Sequence, residues 1–259
     1  MTHLKASLLL LSLSLIAGCS GLQRIKIYAP ETFGLSQVTP NLYVEASADK
    51  AAQLKIREIM EQAENTIDAA YGSVESHPVV LACVSESCYE AFGEKDTRAK
   101  SYGDGHILLS PRGLNWHFLA HEWSHTELHS RLSFMAFWYL PAWFDEGLAV
   151  ALSEAPEHSE QHWNNLVASN TPRPTRKELY TFKSLSQWYD AVHQYGDDKN
   201  MERKAKGEPE SYPVYAAAGH ELRPWVASVG RQGLLAFITR LNNGEGVETI
   251  YYSADKAVK

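Results

Sequence analysis

The sequence predicts an α+β protein with a small mixed α/β N-terminal half and a helical C-terminal half. Two apolar runs, Pro78–Val84 and Ile107–Leu109, are too short for helices and favour strands of a sheet. Between residues 49 and 70, apolar side chains recur in steps of three and four, as on one face of a helix. After Gly113 the chain changes to long helical segments rich in Trp, Leu and Ala.

Composition limits the classes of partner. The chain has 259 residues, of which 44% are hydrophobic and 21% charged, an ordinary balance for a globular protein. It carries 24 Lys and Arg against 31 Asp and Glu, a net charge of −7, with no long basic stripe. Because nucleic-acid binding relies on basic side chains that neutralise phosphates, we expect no nucleic-acid partner.

Residues 1–18 are predicted to be a signal peptide. Lys5 precedes an apolar run from Ala6 to Ala17, which is shorter than the ~20 residues of a membrane-spanning helix. Leu15-Ile16-Ala17-Gly18-Cys19 resembles the lipobox of bacterial lipoproteins. The resemblance implies cleavage before Cys19, a lipid on Cys19, and a location in the cell envelope, on the outer membrane facing the periplasm. The alternative is an ordinary secretory signal with an incidental cysteine.

Two further cysteines, Cys83 and Cys88, are separated by four residues. An oxidising envelope compartment favours a disulfide that closes this short loop. Two buried thiols are the alternative. A zinc site is not indicated here, because the sequence has no second cysteine pair to complete it.

The predicted organisation is a tether over residues 19–40 followed by one domain over residues 41–259. Within that domain, residues 41–136 form the α/β half and residues 137–259 the helical half. A strand is expected over Leu42–Ala46 and a helix over Asp49–Ala70, ended by Gly72.

Three features are predicted near the end of the chain. The charged, glycine-containing stretch Tyr195–Glu210 is expected to be a mobile surface loop. Two helices, Pro213–Val229 and Gln232–Leu241, are expected to follow, separated by Gly230.

The candidate chemistry lies in His121-Glu122-Trp123-Ser124-His125. Residues four apart on a helix share one face, so both imidazoles can reach a single metal ion, with Glu122 beside them to act on a water. His117 and His129 extend the row, but His129 lies ~12 Å along the axis from His121, too far to share a metal with it. We expect these two to form hydrogen bonds or face solvent.

In the metzincin pattern the third ligand is a His six residues after the second, but that position is Arg131 here. The third ligand must therefore come from another segment. The best source is the predicted helix that begins at Pro141, which carries the adjacent carboxylates Asp145 and Glu146. Neighbours on a helix point about 100° apart, so only one of the two can face the metal.

The HExxH motif is followed by Trp143-x-x-Glu146-Gly147-Leu148-Ala149, with 20 residues between His125 and Glu146, and this pattern resembles the gluzincin metallopeptidases. The resemblance is specific over residues 121–152. It implies a zincin-like fold with a zinc cleft between the two halves and one Zn²⁺ per chain. It also implies His121, His125 and Glu146 as zinc ligands, and Glu122 as the general base.

The resemblance has departures. Thermolysin-like enzymes have an Asp where this chain has Val150, and the aminopeptidase pattern Gly-x-Met-x-Asn is replaced by Gly103-Asp104-Gly105-His106-Ile107. We therefore expect an endopeptidase rather than an aminopeptidase, with this last segment as an edge strand for an extended substrate. A donor for the transition state is expected in the C-terminal half. Tyr215 is the candidate, and a structural role for that tyrosine is the alternative.

These observations predict a lipid-anchored zinc metallopeptidase that acts on peptides or proteins. The alternative is a non-catalytic envelope lipoprotein whose metal only joins two helices. An intact Glu122 argues against it, since a structural site needs no base. The seven Trp residues are expected mainly to fill the core rather than to line a cleft.

Overall fold

A computed structural model describes residues 25–103 and 105–255, so Cys19 and the predicted signal peptide lie outside the described residues. The chain is mixed α/β, with a five-stranded sheet in its N-terminal half and a helical C-terminal half. It divides into two compact units. The first holds the chain up to Ile56 together with Pro78–Leu114, and the second holds Arg57–His77 and Asn115–Lys259.

The sheet of the first unit has the order β1-β2-β3-β5-β4. The two central pairings, of β3 with β2 and with β5, are parallel, and both edge strands pair antiparallel. The strands are β1 (Leu35–Thr39), β2 (Leu42–Glu45), β3 (Val79–Ala82), β4 (Ala99–Tyr102) and β5 (His106–Leu109).

Buried side chains from the predicted tether enter the core of the first unit. Ile27 and Leu35 pack with Leu81 and Leu108 of the central strands. Pro30–Phe33 forms a 3-10 turn and Leu35–Thr39 forms β1, so ordered structure begins ahead of residue 41.

The expected edge strand is corrected by the sheet order. Gly103 and Gly105 lie in the turn between β4 and β5, and His106 and Ile107 begin β5, which is an inner strand. The edge strand next to β5 is β4, whose sequence Ala-Lys-Ser-Tyr carries no apolar run that would indicate a strand.

Cys83 and Cys88 form a disulfide with 5.5 Å between their Cα atoms. The helix α2 (Glu86–Ala91) begins inside this loop and continues past Cys88, and it is capped by Ser85, whose hydroxyl accepts a hydrogen bond from the Cys88 N–H. Glu45 at the end of β2 accepts bonds from the Val84 and Ser85 N–H groups, each 2.8 Å long.

The predicted helix after β2 is α1 (Lys50–Tyr71), which begins where Asp49 accepts a hydrogen bond from the Ala52 N–H. The other helices are α3 (Trp116–Arg131), α4 (Phe134–Trp138), α5 (Ala142–Ser153), α6 (Glu160–Ala168), α7 (Arg176–Leu179), α8 (Leu185–Tyr195), α9 (Asn200–Ala205), α10 (Pro213–Asn242) and α11 (Val247–Asp255). Among the described residues, no helix combines the length and the apolar character needed to cross a bilayer.

The predicted break at Gly230 is confirmed inside α10. Its φ of 58° and ψ of −170° are accessible almost only to glycine, so the two helical parts meet at a kink. The stretch Tyr195–Glu210 is more ordered than predicted, because it contains the 3-10 turn Asp197–Lys199 and α9. Its Asp197 is buried and accepts hydrogen bonds from the N–H groups of Val214 and Tyr215 at the start of α10.

The aromatic core of the second unit confirms the packing role expected for most Trp residues near the motif. Trp143 and Phe144 of α5 are fully buried, and the Phe144 ring stacks on Phe237 with 4.6 Å between centroids. Trp225 and Tyr251 complete this cluster. Trp138 is an exception, since 68% of its surface is exposed.

Candidate metal centre

Helix α3 carries the HExxH motif and belongs to the second unit, not to the sheet-bearing unit as predicted. Asn115 starts the helix by accepting a hydrogen bond from the His117 N–H. His121 and His125 project from successive turns, with 5.0 Å between ring centroids and 3.3 Å between their Nε2 atoms.

A buried carboxylate anchors the far end of α3. Glu127 accepts hydrogen bonds from the N–H groups of Glu75 and Ser76 and from the Ser76 hydroxyl. Arg131 pairs with the same carboxylate at 2.6 Å. Burial acts to raise the pKa of Glu127, but these bonds outweigh it and lower the pKa.

Helix α5 supplies the third candidate ligand. It is apolar around most of its circumference and buried on nearly all sides, as expected of a central helix. The N–H groups of Ala142 and Trp143 in its first turn donate to the carbonyls of Lys183 and Phe182. Without a side-chain cap, these contacts satisfy donors that a helix start would leave unpaired.

Helices α5 and α10 approach each other closely at two glycines. A Cβ on Gly147 would lie 3.0 Å from Leu222, and a Cβ on Gly219 would lie 2.4 Å from Val150. Val150 stands where thermolysin-like enzymes have an Asp, and here it packs against α10. These contacts hold the helix that carries Glu146.

Glu146 meets both histidines. Its Oε2 lies 3.4 Å from His121 Nε2 and 3.7 Å from His125 Nε2, and we call His121, His125 and Glu146 the ligand triad. Zinc bonds of about 2.0–2.1 Å at tetrahedral angles place donor atoms about 3.3–3.4 Å apart. The three distances therefore suit one tetrahedral ion that leaves a fourth position for a non-protein ligand.

Within the part of the chain that the structure describes, the buried Glu146 Oε2 has no hydrogen-bond donor. A buried carboxylate oxygen without a donor is costly unless a cation sits beside it. Two imidazole nitrogens and one carboxylate oxygen form a donor set typical of zinc. The residues present thus suit a zinc ion on both geometry and chemistry.

Asp145, the other candidate carboxylate of α5, contacts His125 and His129, and the ligating atoms of these three residues also lie close enough together to hold an ion. Its two carboxylate oxygens each lie 2.9 Å from an imidazole, one from His125 Nδ1 and the other from His129 Nε2. The hydrogen bond from His125 Nδ1 to Asp145 keeps the proton on Nδ1 and leaves the lone pair of Nε2 to bind a metal ion. The two histidines lower the pKa of Asp145 far below its usual range, although burial acts to raise it.

The site is strongly electronegative. Burial alone would lower the pKa of His125, but the carboxylates of Asp145 and Glu146, with Glu122, raise it to about 10. Glu122 is partly exposed and lies near enough to take part in this effect. The same field that favours a protonated imidazole favours a bound cation.

Tyr215 lies beside the triad in the first turn of α10. Its ring centroid is 6.2 Å from that of His121 and 5.2 Å from that of Trp188. Burial, with a further contribution from Glu146, raises the pKa of Tyr215 well above its usual value, so its hydroxyl remains a donor.

Sequence reasoning missed His158. This buried side chain stacks on Tyr215 with 5.0 Å between centroids and lies 6.4 Å from the His121 ring. It belongs to the short turn Pro156–His158 after α5, and no motif spacing marks it.

The other histidines of the row take the expected supporting roles. His117 Nδ1 lies 2.6 Å from the Ser153 carbonyl at the end of α5. His129 bonds Asp145 as described. A second group with metal-ligating atoms, Glu45 with Cys83 and Cys88, has both sulfur atoms in the disulfide.

No known protein-family model, curated protein or solved structure matches this chain. What the described residues define is a mixed α/β protein with a buried His/His/Glu cluster able to hold a metal ion.

Proposed function

We propose that the chain is a lipid-anchored zinc metallopeptidase of the gluzincin type that hydrolyses peptide bonds in the bacterial envelope. One observation supports this most strongly. The Nε2 atoms of His121 and His125 and the Oε2 atom of Glu146 lie 3.3–3.7 Å from one another, and no described residue donates a hydrogen bond to this Oε2. Glu122 stands next to this cluster on the same helix.

The ligand triad would hold one Zn²⁺. When bound, the ion supplies Lewis acidity, which lowers the pKa of a coordinated water and polarises a carbonyl group. Glu122 accepts the proton of the attacking water and then delivers it to the leaving amine. Tyr215, partly buried and kept protonated by its raised pKa, donates a hydrogen bond to the oxygen that gains negative charge.

Asp145 and His129 hold the ligand triad in a geometry that suits binding. Asp145 fixes the tautomer of His125, and the bond of His129 fixes Asp145 in turn. We propose an endopeptidase because the segment 103–107 lacks the aminopeptidase pattern.

Glu122→Gln tests the proposal, because it removes the proton acceptor without removing a ligand. We expect one zinc per chain, an unchanged melting temperature and no cleavage of a mixed peptide library read by mass spectrometry. His125→Ala is the comparator and should lose zinc. Tyr215→Phe should keep zinc and lower kcat more than it changes KM.

Two results would contradict these assignments. Loss of zinc from Glu122→Gln would make Glu122 a ligand, and full cleavage by that variant would remove its role as base. If the wild-type chain binds one zinc but cleaves nothing, the alternative gains support, in which the ion only joins α3 and α5.

A further inference from the structure

Five large apolar side chains are exposed together on and directly after α4. Exposed fractions are 74% for Phe134, 56% for Met135, 44% for Phe137, 68% for Trp138 and 71% for Tyr139. We call these five residues the aromatic surface. Soluble proteins rarely expose such a contiguous group unless something covers it.

The segment is firmly held in this conformation. The Ser133 hydroxyl caps α4 by accepting from the Ala136 N–H, and the Ser133 N–H donates to Asn242. Asn242 also donates to the Arg131 carbonyl, and Ala136 lies on the buried face of α4. The fold therefore presents the aromatic surface through defined hydrogen bonds rather than as a frayed end.

Its composition points to one kind of partner. No charged residue occurs from Leu132 to Phe144. Trp and Tyr, with an apolar ring and a polar group, are enriched where lipid headgroups meet acyl chains, and Phe and Met add apolar surface. Lys183 and Glu248, which line one groove with Trp138 and Tyr139, pair with each other at 2.7 Å and so add no net charge that would favour a charged protein partner.

The lipid proposed on Cys19 also indicates a membrane as the partner. Cys19, the proposed lipid-bearing residue, precedes Ile27, the first buried residue in the described part of the chain, by eight positions. Eight residues span at most about 28 Å when fully extended, so a lipid on Cys19 would keep the folded body close to a membrane.

We propose that the aromatic surface inserts into the interfacial layer of the phospholipid bilayer that carries the Cys19 lipid. This inference rests on the proposed anchor and not on peptide hydrolysis. Phe137 of the surface packs on His129 with 4.8 Å between ring centroids, and His129 bonds Asp145 behind the ligand triad. The triad would then work next to the bilayer, on chains held at or near the membrane.

Trp138 offers a direct reporter. Among the seven Trp residues it alone is strongly exposed, while Trp123, Trp143 and Trp188 are fully buried. The full chain, purified from membranes in detergent, is reconstituted into phosphatidylcholine vesicles with or without brominated acyl chains, and its lipidation is checked by mass. We expect the brominated acyl chains to quench part of the Trp fluorescence. Trp138→Phe should reduce the quenched fraction of that fluorescence severalfold.

A second variant keeps the reporter. Phe134→Ser combined with Met135→Ser should weaken the quenching of Trp138, whereas Leu54→Ser, at another exposed apolar residue, should leave it unchanged. All these side chains are exposed, so zinc content and melting temperature should stay at wild-type values.

Equal emission with plain and brominated chains would overturn the inference, whether or not the sample carries lipid. So would shielding of Trp138 from aqueous iodide that depends on protein concentration but not on vesicles, since a second copy of the chain would then cover the surface. Peptide cleavage by the same samples is read separately. Quenching without cleavage would count against the peptidase and leave the aromatic surface assigned.

Discussion

Asp145→Asn is the sharpest test of how the metal centre is built. The wild-type carboxylate makes two bonds of 2.9 Å, to His125 and to His129. An asparagine of the same shape keeps one oxygen for the His125 Nδ1–H group, but its NH₂ can only donate to His129. The negative charge next to both imidazoles is lost.

The magnitude follows from these contacts. Removing a carboxylate that orients a metal-binding histidine typically costs 10–100-fold in metal affinity. Because Asn retains the bond to His125, we expect about tenfold for Asp145→Asn, or about 1.4 kcal/mol. Asp145→Ala loses both bonds and should approach about 100-fold. His129→Gln breaks only the outer bond and should have the smallest effect.

Zinc affinity is measured by competition with a chromogenic chelator at pH 7.5. Asp198→Asn is the matched control, since Asp198 bonds His193 at 2.8 Å in an exposed pair away from the ligand triad. It should bind zinc like the wild type. An unchanged affinity in Asp145→Asn would refute the orienting role. A loss as large as that of Glu146→Gln would make Asp145 the ligand instead.

Two further predictions concern the scaffold. Glu127→Gln should cost roughly 3 kcal/mol, because it leaves Arg131 without its buried partner. Since the folded pKa of Glu127 is lowered, its contribution is present above its usual pKa of 4.5 and is lost as pH falls further. In urea unfolding, the free energy of unfolding of Glu127→Gln should therefore fall well below that of the wild type at pH 7 and much less below it at pH 3. The exposed Glu64→Gln is the control. An equal difference at both pH values would contradict the link between the Glu127 charge and stability. Gly219→Ala should destabilise the fold by about 1–3 kcal/mol, because its Cβ meets Val150 at 2.4 Å. Adding Val150→Ala should recover part of that loss, and strictly additive losses would show that the two sites are independent.

Local patterns predicted the elements whose signal lies within a few residues. The spacing of His121 and His125 requires only the helical repeat, and Gly230 breaks α10 through its own backbone conformation. β2, β3 and β5 carry apolar side chains that a sheet interior demands.

Elements that depend on partners in another segment of the chain escaped prediction. Leu35–Thr39 has only one fully buried residue and becomes a strand because β2 pairs with it. The stretch predicted to be a loose loop is held by Asp197, whose hydrogen-bond donors lie at the start of α10, 17 and 18 residues further along. No local pattern shows such pairs, because each residue alone resembles an ordinary surface residue.

Adjacent carboxylates on α5 show why the site depends on the rotation of one helix. Asp145 and Glu146 point about 100° apart, so the rotation that brings Glu146 to the two Nε2 atoms also brings Asp145 to the Nδ1 atom of His125. A small turn of α5 about its axis would lengthen both sets of contacts together. The close approach of α10 at Gly147 and Gly219 opposes such a turn. Gly147 and Gly219 would therefore support metal affinity by holding α5 in this rotation. The Asp145 variants measure the contacts of α5 at the metal centre, and Gly219→Ala measures its packing against α10.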